Sequence, residues 1–94
     1  MKKKIFLVIH LLEEYGTEID RKYSKYLDDG IFELRISQSS NITRILYFFI
    51  EDDTAVLTNG FVKKTMLTPR KKIELAKKYR KDFLERNKDE ILHI

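Results

Sequence analysis

The run Ile45-Leu46-Tyr47-Phe48-Phe49-Ile50 is apolar at every position. A strand sends alternate side chains to opposite faces of its sheet, so an unbroken apolar run needs cover on both faces. That requirement predicts a central strand over Thr43 to Ile50, with strand candidates on either side at Ile31 to Ser37 and Thr54 to Phe61. Their connections, Gln38 to Ile42 and Glu51 to Asp53, are short and polar, which points to an antiparallel meander. Thr17 to Asp29 is polar and rich in turn-formers, and it ends in Asp28-Asp29-Gly30, a turn signal just before a strand.

Helices are expected at the two ends. Ile5, Val8, Ile9, Leu12 and Tyr15 fall at helical spacing, and Gly16 stands where a glycine ends a helix in the left-handed conformation. Near the other end, Thr68 is suited to cap a helix and Pro69 to open it, since proline's fixed φ and missing donor cost little there. From Pro69 to about Asn87, Ile73, Ala76, Tyr79, Phe83 and Leu84 form an apolar stripe opposite Lys71, Lys77, Lys78 and Lys81. Asp89 to Ile94 reads as a short strand or a frayed tail.

The 94 residues suit one domain able to bury a modest core. No cysteine is present, and His10 and His93 are far apart in sequence, so no disulfide, thiolate metal site or cofactor is expected, and the cytoplasm is the simplest location. Lys2-Lys3-Lys4 and the apolar residues after them imitate a secretory signal. The run is broken by His10 and passes into Glu13-Glu14, with no small-residue cleavage pattern, and it is far too short to span a bilayer.

The net charge of +4 is unevenly placed. Lys63 to Lys88 holds eleven lysines and arginines against three acidic residues, whereas Met1 to Val62 holds eight against ten. A polyanionic partner such as RNA, DNA or an acidic protein fits that asymmetry, and so does a solvated helix face. Lys63-Lys64 sits where a strand gives way to a helix, a junction able to present cations to a phosphate. If Ile36 pairs with Thr43, Arg35 lies directly opposite Arg44 on the face away from the core, and like charges so placed destabilise a sheet unless an anion holds them. A register shifted by one residue would separate the two arginines, and Glu33 is placed to neutralise one of them.

Four blocks then occur in order: Leu11 to Gly16; Lys25-Tyr26-Leu27-Asp28-Asp29-Gly30-Ile31-Phe32-Glu33-Leu34-Arg35; Thr43-Arg44-Ile45-Leu46-Tyr47-Phe48; and Asn59 to Thr65 with Thr68-Pro69. Together they resemble the phage-associated, HigB-like branch of the RelE/ParE superfamily, toxins of type II toxin–antitoxin modules. The resemblance implies an α+β fold with helices packed on one side of a small antiparallel sheet. It implies cleavage of mRNA on the ribosome without a metal or cofactor, and silencing by a DNA-binding, helix-turn-helix antitoxin. By matching blocks it puts forward Arg44, Lys63 and Lys64 as catalytic residues, with Arg35 beside them. Arg70, Lys71, Lys77, Lys78 and Lys81 are the residues expected to grip RNA backbone; an acidic antitoxin segment would suit the same helix.

The chain departs from that branch in two respects. Relatives usually carry a strand and part of a helix ahead of the Ile5 to Gly16 block, so this sheet is expected to lack a strand and to leave an edge open to pairing. The tyrosine or histidine that some relatives use near the C-terminus has no secure match, because Tyr79 falls on the apolar stripe and His93 in the tail. Two other functions are compatible with the scaffold, a gyrase-binding toxin of ParE type and an inactive remnant that only binds its antitoxin.

Overall fold

The computed structural model describes residues 2–38, 41–51, 53–63 and 67–87. Helix α1 (Lys2–Tyr15) leads through a 3-10 turn (Gly16–Glu18) to strands β1 (Ser24–Asp28), β2 (Ile31–Gln38), β3 (Asn41–Ile50) and β4 (Thr54–Lys63), and helix α2 (Arg70–Arg86) follows. The strands form one antiparallel sheet in the order β1-β2-β3-β4. The α+β architecture is the expected one, and β3 is interior, with Leu46, Tyr47 and Phe48 all buried.

Gly16 has the left-handed φ of +53° anticipated for it. The turn at Asp29-Gly30 is a two-residue hairpin loop between the paired residues Asp28 and Ile31, with φ of +50° and +78°. Positive φ at both positions is the turn geometry that matches the right-handed twist of the flanking strands, and Asp-Gly meets it at low cost. Strand β1 falls inside the stretch read from sequence as a polar connection. Ser24-Lys25-Tyr26-Leu27-Asp28 is short and mostly polar because it is an edge strand, paired on one side only.

The helices take opposite faces of the sheet, which corrects the expectation that both lie on one side. Val8 and Leu12 of α1 pack on Leu34, Ile36 and Tyr47, whereas Ala76 of α2 packs on Ile31, Leu46 and Phe48. Residues 34 and 31, like 47 and 46, differ by an odd number and so point to opposite sides. Six consecutive apolar residues in β3 are thereby covered from both directions, each buried large side chain contributing about 1.5–3 kcal/mol.

Two details of α2 also differ from expectation. The residue preceding its first turn is Pro69, extended at φ −58° and ψ 136°, and Thr68 does not cap the helix; its hydroxyl is engaged by the sheet instead. Tyr79 is 46% exposed and so is not core, since the buried stripe runs through Ile73 and Ala76, and Tyr79 sits beyond Ala76 on the helix flank. Arg80 does part of the work assigned to that stripe, donating from Nη1 to the carbonyl of Asp29 at 2.5 Å and pairing through Nη2 with its carboxylate at 2.8 Å.

A β-bulge interrupts the β3–β4 pairing: Ile45 faces Gly60 and Tyr47 faces Leu57, so Thr58 and Asn59 together oppose Leu46. The Thr58 hydroxyl donates to the Leu46 carbonyl at 3.0 Å. The extra residue inverts the alternation of β4, carrying Phe61 onto the α2 face.

Gly30 tests the turn. In Gly30→Ala the new Cβ would stand 3.2 Å from Nη1 of Arg80 while the residue keeps a φ that side chains resist. A loss of about 1–2 kcal/mol in urea unfolding is expected; an unchanged midpoint would show that the turn relaxes to another type.

Candidate functional site

The pairing of β2 with β3 places Arg35 directly opposite Arg44, and Arg44 in turn faces Phe61 of β4. The register read from sequence is therefore the observed one. The face it lies on is not open, however, because α2 and the segment leading into it cover that side. Arg44 is only 2% exposed, and the Arg35 side chain 28%.

The charge that holds the two arginines together comes from the chain itself. Glu33 lies two residues before Arg35 on β2, hence on the same face, and is fully buried. Its Oε1 accepts from Arg44 Nη1 at 2.5 Å and from Arg35 Nε at 3.2 Å, and its Oε2 accepts the Thr68 hydroxyl. One carboxylate thus ties β2, β3 and the approach to α2 into a cluster of net charge +1. Beside it, the Lys72 ammonium lies 5.4 Å from the centre of the Phe61 ring, and the Asn59 side-chain amide donates to the Lys72 carbonyl at 3.3 Å.

Sequence reasoning recognised Glu33 as a neutraliser of one arginine; the structure makes it the partner of both. Local sequence suits Thr68 to a helix cap, and no local signal marks it as a sheet contact, because Glu33 is 35 residues away. Lys63 is the last residue of β4, opposite Ile42. Its side chain and the whole of Lys64 lie outside the described residues, so the proposed Arg–Lys constellation is positioned through the arginines and the strand end.

The five cations assigned to α2 fall into two groups. Arg70 pairs with Asp28 at 2.8 Å and with Glu74 at 3.0 Å, and Lys77 pairs with the same two carboxylates at 2.9 and 3.4 Å. These two fasten α2 to the end of β1. Lys71, Lys78 and Lys81 are exposed along the outer face of the helix, where none of the ion pairs among the described residues engages them. His10 is exposed, 3.7 Å from Glu13, and His93 lies outside the described residues. Among the described residues, no three His, Asp or Glu side chains gather as a metal-ligand set, and no helix is long and apolar enough to cross a membrane.

Titration reports these contacts. Hydrogen bonds from Lys77 and then Arg70 hold the Asp28 carboxyl below 3.8, and the bond to Asp28 raises Lys77 above 10.5. On the sheet's other face, burial pushes the Tyr47 phenol above 10.0 against the opposing effect of its hydrogen bond with Ser24, 2.5 Å long. A depressed carboxyl stabilises the fold above its unfolded pKa, and that contribution is lost as pH falls through the folded value. Asp28→Asn should therefore lower the melting temperature at about pH 7, with the difference from wild type closing as pH drops well below 3.8; a difference independent of pH would refute the docking role.

Glu33→Gln removes the charge that Arg44 faces in the interior, and a loss of about 3–5 kcal/mol is expected because a buried ion pair is broken at one partner. Denaturant unfolding of Glu33→Gln, Arg44→Met and the double variant would measure the coupling. If the losses simply add, Glu33 does not hold Arg44 as described.

Comparison with known proteins supplies the family. No curated protein and no solved structure matches the chain. The family model described as phage-derived protein, Gp49-like, matches residues 1–81, a span that includes α1, the entire sheet, the Glu33–Arg44 cluster and most of α2. The chain belongs to the phage-derived Gp49-like family, which is a RelE/ParE-like toxin family.

Proposed function

We propose that this protein is the toxin of a type II toxin–antitoxin pair, of the HigB-like branch, and that it inhibits translation as a ribosome-dependent mRNA endoribonuclease acting without a metal. The observation that carries the reading is the Arg35–Arg44 row on one sheet face, adjoining the strand end at Lys63 and the helix that carries Lys71, Lys78 and Lys81. Family membership supports a toxin and, with it, an antitoxin as partner. The ribosome, its mRNA, a helix-turn-helix antitoxin and a cytoplasmic site of action are parts of the proposal.

Cleavage of this kind begins with attack of a 2′-oxygen on the adjacent phosphorus. The P–O5′ bond breaks, a cyclic phosphate forms, and the departing 5′-oxygen takes a proton. Negative charge builds on the phosphoryl oxygens, and cations already in place stabilise it at little reorganisation cost. Arg35 offers the more open guanidinium of the row. Lys63 and Lys64 are assigned to share the charge and to transfer protons. Glu33 is a positioning residue here, fixing both guanidinium groups, and Arg44 acts on the phosphate from beneath that pair. Lys71, Lys78 and Lys81 hold RNA backbone, while Arg70 and Lys77 are committed first to Asp28 and Glu74.

One observation favours a second reading. Arg44, almost wholly buried against Glu33, has little surface to offer a phosphate, and a gyrase-binding toxin of ParE type would not need it to.

Controlled expression in bacteria, with growth and mRNA 5′ ends followed together, separates the two. The nuclease reading expects arrest with new cuts inside translated frames; arrest with DNA damage and intact mRNA would replace it with the gyrase reading. Because Arg44→Ala would take from buried Glu33 one of its two cationic partners, Arg35→Ala and Lys64→Ala are the cleaner variants. Each should slow cutting by about 10²–10³-fold with the melting temperature preserved, and undiminished cutting in the double variant would remove these residues from the mechanism.

A further inference from the structure

A small pocket at the edge of β2, outside the Glu33–Arg44 cluster, is lined by Lys4, Lys22 and Arg35 together with Val8, Tyr23 and Ser37. Its volume is about 60 Å³. The three cations arrive from three separate elements: Lys4 from α1, Lys22 from the turn before β1, and Arg35 from β2. No carboxylate lines the pocket. The nearby acids are directed elsewhere, Glu33 toward Arg35 Nε and Arg44, and Asp20 toward the backbone N–H of Lys22 at 2.8 Å. Among the described residues no ion pair engages Lys4 or Lys22; the Lys22 ammonium stands 5.5 Å from the centre of the Tyr23 ring. Like charges gathered around one cavity repel, and a bound anion reverses the sign of that term.

We propose that this pocket holds a backbone phosphate of single-stranded RNA, next along the strand from the phosphate addressed by the arginine row. The choice of RNA rests on the nuclease reading; the anion site rests on the pocket itself. Arg35 belongs to both places, bonded through Nε to Glu33 and lining the pocket where β2 runs past Tyr23. Anions at two adjoining sites are most simply successive charges of one polymer. The cavity is too small for a base, so the contact reads the backbone and not the sequence. Tyr23 and Ser37, which also line it, bring hydroxyl groups able to donate to phosphate oxygens.

The test is equilibrium binding of a short oligoribonucleotide carrying 2′-O-methyl groups throughout, which cannot be cut through its 2′-oxygens. Fluorescence anisotropy over a range of salt would compare wild type, Lys4→Ala/Lys22→Ala, and Lys25→Ala as a control on the exposed part of β1. The double variant should bind about tenfold more weakly at low salt, and its slope of log K against log salt should be shallower by about 1.4, as expected for two lost cations on a single strand. Lys25→Ala should match wild type, and all three proteins should melt alike. Wild-type affinity and slope in the double variant, or no binding by wild type at low salt, would overturn the proposal. Because the probe is not cut, loss of binding in the double variant alongside intact mRNA in expressing cells would keep the pocket and reject the nuclease reading. Cut mRNA with unchanged binding would do the reverse.

Discussion

A buried carboxylate is costly unless its lone pairs are met by donors and its charge by a cation. Glu33 meets that condition with three partners on three segments: Arg35 on its own strand, Arg44 on β3, and Thr68 just before α2. Much of the architecture on that face follows. Opposed arginines are tolerated in adjacent strands because a carboxylate lies between them, and the approach to α2 is held to the sheet through Thr68. The same pairing that makes the cluster stable also buries Arg44 almost completely, so structure and chemistry are coupled at this point.

The helix that closes this face divides its charges between anchoring and display. Asp28, at the end of a short edge strand, draws Arg70 and Lys77 inward, and Asp29 draws Arg80. Lys71, Lys78 and Lys81 are left exposed to solvent. A charge count along the chain cannot make this distinction, because it depends on which carboxylates the β1–β2 hairpin delivers to the helix. Exposed ion pairs are individually weak. Their weight here comes from several of them converging on one hairpin.

The bulge opposite Leu46 has a similar long reach. A single extra residue in β4 inverts its alternation, so that Phe61 joins the α2 face beside Arg44. An uninterrupted ladder would have sent Phe61 to the α1 side and broken the continuity between the arginine row and the strand end that carries Lys63. Bulges near functional surfaces commonly re-aim side chains in this way.

Much was legible in the order of residues, wherever the determining forces are local. The apolar period of α1, the left-handed glycine at its end, the Asp-Gly hairpin, the doubly covered β3 and the Arg35–Arg44 register all depend on neighbours a few residues apart or on one short connection. So did the family blocks, which are strings of consecutive residues. The placement of the helices on opposite faces, the edge strand β1, the exposure of Tyr79 and the partnership of Thr68 with Glu33 were decided only in three dimensions. Each depends on a contact between distant segments, or on which side of a two-sided sheet a crossing element takes, and neither is encoded by spacing along the chain. The sequence alone thus determined the chemical repertoire and most of the strand pairing. Tertiary structure decided which of its charges are buried as partners and which remain at the surface, because desolvation depends on what lies above a residue and not on what lies beside it in the chain.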